Sequence, residues 1–116
     1  MKDNVVKDKS LEFAVRIVNL YKFLVNEQKE FVMSKQILRS GTSIGANIRE
    51  AEQAQSRADF INKLNIALKE ANETEYWLEF LIRTEYITRE QYESINNDST
   101  EINKLLISII KTTKNY

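Results

Sequence analysis

Apolar side chains in this sequence recur every three or four residues in four separate segments. In the first segment the recurring residues are Phe13, Ile17, Leu20, Tyr21 and Leu24. Because an α-helix completes a turn in about 3.6 residues, this spacing places the apolar side chains on one face of a helix. The pattern predicts four amphipathic helices, over residues 7–27, 34–54, 57–84 and 89–113.

Local sequence signals mark where three of these helices begin. Ser34 is a candidate N-cap of the second helix, Ser56 of the third, and Thr88, with Gln91 three residues later, forms a capping box for the fourth. A serine or threonine oxygen at such a position accepts a hydrogen bond from a backbone N–H of the first helical turn. The polar residues 96–99 are a candidate break within the fourth helix.

The order of these elements predicts an all-α protein. Proline is absent and the chain has only two glycines, so the residues that interrupt helices are almost missing. Four amphipathic helices joined by short connections bury their apolar faces most economically in an antiparallel bundle. We therefore predict a single domain over residues 1–116, an up-down-up-down four-helix bundle.

Histidine and cysteine are both absent from the chain. This excludes the histidine-containing di-iron sites of helical bundles, thiolate nucleophiles and cysteine-bound zinc. The sequence also contains no phosphate-binding loop and no nucleophile elbow. We expect no enzyme activity, and consequently no catalytic residue, no metal, no cofactor and no small-molecule substrate.

Glutamates cluster in the third predicted helix, at Glu70, Glu73 and Glu75. Glu70 and Glu73 share one face, and together with Glu50 they are the candidate ligands for magnesium or calcium in a metal-dependent enzyme. The alternative is an acidic stripe that faces solvent or an interface. We favour the stripe, because buried unpaired carboxylates are rare.

The charge and hydropathy of the chain indicate its surroundings. The 17 basic and 17 acidic residues cancel, so the whole chain has no net attraction for phosphate backbones, although both chain ends are basic and the middle is acidic. The apolar runs are far shorter than the roughly 20 residues that cross a bilayer. The N-terminus lacks the apolar stretch of a secretory signal. We expect a cytoplasmic protein without a membrane partner.

Residues 41–45, Gly-Thr-Ser-Ile-Gly, form the most distinctive short segment. Gly41 and Gly45 are four residues apart, on a stripe shared with Ile44 and Ile48. Two glycines at this spacing allow another backbone to approach a helix closely. A phosphate-binding loop is the alternative, but the lysine that follows its glycines is missing. We therefore assign these four residues to helix packing.

A basic stripe follows helical spacing beside the glycines. Its members are Lys35, Arg39, Arg49 and Arg57. One interpretation is a contact surface for nucleic acid, because such side chains reach successive phosphates. The other is a solvated face whose cations pair with Glu50 and Glu52 or with carboxylates of a neighbouring subunit. We favour the solvated face, because neighbouring arginine and glutamate residues are common and the total charge is neutral.

The third helix has more apolar surface than one core face requires. The excess comes from Tyr76, Trp77 and Phe80. Aromatic side chains can stack on nucleic-acid bases, but beside leucines at helical spacing they more often fill a core or a subunit interface. We predict an oligomer interface at these three residues.

Two segments, residues 39–51 (RSGTSIGANIREA) and 70–78 (EANETEYWL), with Asp59-Phe60 and residues 13–18, carry a family resemblance. The chain resembles the bacterial four-helix-bundle family first described from intervening sequences in 23S rRNA genes. A related accessory protein of diversity-generating retroelements, which is strongly basic and binds nucleic acid and a reverse transcriptase, is also similar. The resemblance implies a cyclic homo-oligomer, with a pentamer as the expected size, and it transfers no catalytic residue.

The sequence and the resemblance together lead to two functional hypotheses. The first is a non-enzymatic homo-oligomer whose basic stripe binds RNA or a nucleic-acid-binding protein. The second is a structural scaffold that assembles with itself and with a protein partner, without a nucleic-acid role.

Overall fold

The computed structural model describes residues 2–115, and their side chains from Val5 onward. Four helices follow one another: α1 (Lys2–Asn26), α2 (Met33–Ala51), α3 (Arg57–Arg83) and α4 (Arg89–Lys114). Each helix packs on the next, and α1 also packs on α4, whereas in the described residues no Cα atoms of the diagonal pairs α1/α3 and α2/α4 lie within 8 Å of each other. The predicted antiparallel, up-down-up-down four-helix bundle is confirmed.

One hydrophobic core runs along the axis of this bundle, and its residues come from the four predicted stripes. Its largest fully buried side chains include Phe13, Ile17, Leu24, Ile37, Ile44, Leu64, Leu78, Leu81, Ile102 and Leu106. Complete burial of a leucine, isoleucine or phenylalanine side chain contributes roughly 1.5–3 kcal/mol. Among the described helices, none is both long and apolar enough to span a bilayer.

The start of α2 differs from the predicted start. Ser34 lies inside the helix, and the N-cap position belongs to Val32, whose side chain caps nothing, so the predicted Ser34 cap is wrong. The buried carboxylate of Glu30 replaces it by accepting hydrogen bonds from the backbone N–H groups of Val32, Met33 and Ser34, at 3.1, 3.0 and 2.7 Å. A loop glutamate therefore satisfies the free donors of the first turn.

The starts of α3 and α4 agree with the sequence signals. The Ser56 side chain accepts a hydrogen bond from the backbone N–H of Asp59, which confirms the predicted cap. The Thr88 and Gln91 side chains form the predicted reciprocal capping box. The predicted break at residues 96–99 is wrong, because α4 continues through them without interruption.

Helices α1 and α2 approach each other closely at the two glycines of α2. A Cβ atom on Gly41 would lie 2.8 Å from both Cγ atoms of the buried Ile17, and one on Gly45 would lie 3.2 Å from the Ser10 hydroxyl oxygen. Both glycines therefore face α1 of the same chain. Ile44 and Ile48, which belong to the same predicted packing group, are buried in the core.

Candidate interaction surface

Three aromatic side chains form a continuous cluster on α3, which we call the aromatic patch: Tyr76, Trp77 and Phe80. Tyr76 packs edge-to-face on Trp77 and on Phe80, with ring centroids 5.0 and 5.9 Å apart. Trp77 is half-buried against the core, whereas Tyr76 and Phe80 are 57% and 41% exposed. The patch is therefore anchored on the core and open to solvent on its outer side.

Glu73 holds the aromatic patch in place. Its Oε2 atom accepts hydrogen bonds from the Trp77 indole N–H, at 3.1 Å, and from the Arg39 guanidinium. Arg39 also forms an ion pair with Glu70 at 3.2 Å. The Arg39 and Trp77 hydrogen bonds lower the pKa of Glu73 below its ordinary value. This network joins the two segments that carry the family resemblance, one from α2 and one from α3.

A buried hydrogen bond lies directly beneath this network. The Thr74 hydroxyl donates to the Ser40 hydroxyl oxygen at 2.9 Å, and both residues are inaccessible to solvent. The Thr74 hydroxyl also lies 2.8 Å from the Glu70 carbonyl oxygen, and its contact with Ser40 joins the facing turns of α2 and α3. The position of Arg39 opposite Glu70 and Glu73 follows from that register.

The four residues of the predicted nucleic-acid contact do not share one environment. Arg39 is bound by two carboxylates, as described above. The side chains of Lys35, Arg49 and Arg57 are exposed and have no hydrogen-bond or ion-pair partner among the residues that the structure describes. Three cations of the stripe are thus free to bind an anionic partner, and one is neutralised within the chain.

The basic stripe does not pair with Glu50 and Glu52, contrary to one sequence interpretation. Glu50 instead pairs with Lys63 of α3, at 3.3 Å, and Glu52 pairs with Lys7 of α1, at 3.1 Å. These exposed pairs contribute little to stability. They do connect the C-terminal end of α2 to both neighbouring helices.

The acidic cluster of α3 is divided between two sides of the helix. Glu70 and Glu73 face Arg39 of α2, whereas Glu75 accepts a hydrogen bond from the Asn103 side chain of α4, at 2.9 Å. Burial raises the pKa of Glu75, and the bond from Asn103 opposes that rise. The three carboxylates do not converge, and no group of three potential metal ligands occurs among the side chains that the structure describes, those of residues 5–115.

A second exposed apolar surface lies on α1, and the sequence reasoning missed it. Leu11 and Val15 are 51% and 55% exposed and stand one helical turn apart. The sequence signal for this surface is that the two residues are four positions apart, on the side of α1 opposite the core residues Phe13 and Ile17. This surface lies on α1 and the aromatic patch on α3, the helix diagonal to α1 in the bundle.

Comparisons with known proteins identify the family. A crystal structure described as a protein with unknown function from the S23 ribosomal protein family, from Bacteroides thetaiotaomicron VPI-5482, is 99% identical over 96% of this chain and 99% of that chain, with a TM-score of 0.95. No curated protein matches the chain. The predicted relationship to retroelement accessory proteins stays a prediction. A sequence profile described as 23S rRNA-intervening sequence protein matches residues 2–108, and the chain belongs to that family.

Proposed function

We propose that this chain is a non-enzymatic assembly protein that associates with further copies of itself through the aromatic patch. The observation that carries this proposal is the exposure of Tyr76 and Phe80 beside an anchored Trp77. Clustered aromatic side chains that are open to solvent are typical of association surfaces, because their burial releases a large apolar area from water.

The order within the patch strengthens this proposal. The ring contacts of Tyr76 and the hydrogen bond from Trp77 to Glu73 hold the aromatic rings in one arrangement before any partner arrives. A surface that is already ordered loses less side-chain entropy on binding, so more of the burial energy remains as affinity. The cyclic pentamer that the family resemblance implies is the size that we propose for the assembly.

The oligomeric state of the purified chain tests this proposal. We expect the parent to have a mass that is a multiple of 13.6 kDa, five-fold for a pentamer, in analytical ultracentrifugation. The double variant Tyr76→Ser/Phe80→Ser should dissociate, because each buried aromatic side chain at the centre of an interface contributes on the order of 2 kcal/mol, or about 30-fold in dissociation constant.

The matched control is Ile107→Ser, which removes an apolar side chain of similar exposure, 47%, from α4. This variant should retain the mass of the parent. A parent that sediments as a monomer at tens of micromolar concentration, or a double variant that keeps the parent mass, would contradict the proposal.

RNA is the alternative partner, and the charges of the described surface favour it less. Arg39 is neutralised by Glu70 and Glu73, which leaves three free cations of the stripe in each copy. We expect no measurable binding of a structured RNA at physiological salt, and this is tested by fluorescence anisotropy across a salt series. RNA binding would be supported instead if the log of the affinity fell by about 0.9 per neutralised phosphate for each tenfold rise in salt, and if Arg49→Gln reduced the affinity.

A further inference from the structure

We infer that the aromatic patch of one copy docks into the cleft between α1 and α2 of the next copy, so that the chains associate head to tail. This inference rests on the proposed self-association and names the surface that receives the patch. The cleft is separate from the patch, because its lining residues belong to α1 and α2, whereas the patch belongs to α3.

The cleft has the size and the lining that an aromatic ring requires. It has a volume of about 180 Å³. Its lining residues are Lys7, Ser10, Leu11, Ala14, Thr42, Gly45, Ala46 and Arg49. An apolar cavity of about 150 Å³ in a protein accommodates a benzene molecule, so a Tyr76 or Phe80 ring fits this volume. The small side chains of the lining and the missing side chain of Gly45 create the space, and Leu11 extends its apolar wall.

The positions of the two surfaces favour a head-to-tail contact. If α3 of one copy packed on α3 of another about a two-fold axis, the aromatic patches would be buried and the α1 surface around Leu11 and Val15 would stay exposed in both copies. A head-to-tail contact buries one surface of each kind at every interface. Repeated around a closed ring, it leaves neither surface uncovered.

The charges of the two surfaces are complementary. Beside the aromatic patch, Glu70 and Glu73 present two carboxylates to the one guanidinium group of Arg39. In the cleft, Lys7 is paired with Glu52, whereas Arg49 has no side-chain partner in the described part of the chain, which leaves about +1. A guanidinium at this position can also lie over the face of an incoming tyrosine or tryptophan ring.

Engineered cysteines test the inference directly, because the natural chain has none. Asn72→Cys places a thiol one helical turn from Tyr76 on the exposed side of α3, and Ala46→Cys places one at the exposed edge of the cleft. Both changes leave the aromatic rings in place. The two single variants are purified separately, mixed under conditions that allow exchange of subunits, and treated with a short bismaleimide cross-linker.

A head-to-tail contact gives cross-linked dimers in the mixture at a yield at least ten times that of either variant alone. A single chain that carries both Ala46→Cys and Asn72→Cys gives a ladder of cross-linked species of increasing mass. The control pair, Asn72→Cys mixed with Lys104→Cys on the exposed outer face of α4, stays uncross-linked. Thermal unfolding followed by circular dichroism verifies that every variant retains the bundle.

The outcomes separate this inference from the proposed function. Cross-linking of Asn72→Cys alone would show that α3 packs on α3, which overturns the head-to-tail contact while self-association stands. Equal cross-linking with the Lys104→Cys control would overturn it as well. So would the absence of cross-links in the mixture of Asn72→Cys and Ala46→Cys when the parent is oligomeric. A monomeric parent in ultracentrifugation would remove the proposed function itself.

Discussion

Replacement of Glu30 with alanine is expected to lower the free energy of unfolding by about 3 kcal/mol at neutral pH. Glu30 is only 7% exposed, and its carboxylate accepts hydrogen bonds from three backbone N–H groups at the start of α2. Without it, these donors face a partly buried helix end with no acceptor, and the helix dipole loses the negative charge that stabilises its N-terminus. Both losses act in the same direction.

The effect of this substitution depends on pH. Burial by itself raises the pKa of Glu30, but the hydrogen bonds from Met33, Ser34 and Val32 outweigh it, and the pKa lies below the ordinary value of 4.5. Because the folded-state pKa is the lower one, the stabilisation is complete above the pKa of the unfolded state and is lost as the pH falls through the folded-state pKa. The difference between parent and Glu30→Ala should therefore shrink below about pH 4.5.

Urea denaturation at matched protein concentration, at neutral pH and in acid, measures this difference. Glu30→Gln keeps one acceptor oxygen and should lose less stability than Glu30→Ala at neutral pH. Because glutamine does not titrate, its difference from the parent should also shrink in acid. Glu27→Ala, at an exposed position just upstream, is the matched control and should stay within about 0.5 kcal/mol of the parent. An equal loss in the Glu27 and Glu30 variants would disprove the capping role of the Glu30 carboxylate.

Glu30 also shows why the sequence predicts some helix starts and misses others. Ser56 and Thr88 cap α3 and α4 from the position next to the helix, with their partners three residues away, so the sequence alone reveals them. Glu30 reaches α2 from the loop, where the preceding Lys29 has a positive φ of 54°. A residue of that size in the left-handed region has no reliable sequence signal, and the direction of the chain after it could not be predicted.

The candidate surface was also predictable only in part: the sequence indicates the aromatic patch but not the ion pairs of Arg39. The spacing of Tyr76, Trp77 and Phe80 indicates an apolar excess on α3, and the exposure of two of the three agrees with this. The ion pairs that neutralise Arg39 could not be predicted from the sequence. Its partners Glu70 and Glu73 lie 31 and 34 residues away, and their approach depends on how α2 and α3 are rotated about their own axes in the bundle.

Replacement of Gly41 with leucine is expected to cost about 3 kcal/mol of stability, at the upper end of the range for overpacked cores. Even a methyl group at this position would lie 2.8 Å from two carbons of Ile17, which is completely buried. The branched side chain of Ile17 has few alternative rotamers. Helices α1 and α2 must therefore separate, which reduces packing along their whole contact.

The sharpest comparison is between Gly41→Ala and Gly45→Ala, because the spacing of the glycines alone does not distinguish the two positions. Alanine gains about 1 kcal/mol over glycine in a helix interior. At Gly41 the contact with Ile17 exceeds this gain, so Gly41→Ala should lose about 1 kcal/mol. At Gly45 the nearest atom is the Ser10 hydroxyl oxygen, 3.2 Å away, and a small rotation of that side chain relieves the contact. Gly45→Ala should be at least as stable as the parent.

Thermal and urea unfolding of the three variants, at one protein concentration, measure these differences. The order of stability should be Gly45→Ala, then the parent, then Gly41→Ala, and finally Gly41→Leu. If Gly41→Ala proved more stable than the parent, the close approach of α1 and α2 at Ile17 would not limit the size of residue 41. The helix propensity of alanine would then determine the result at both glycines.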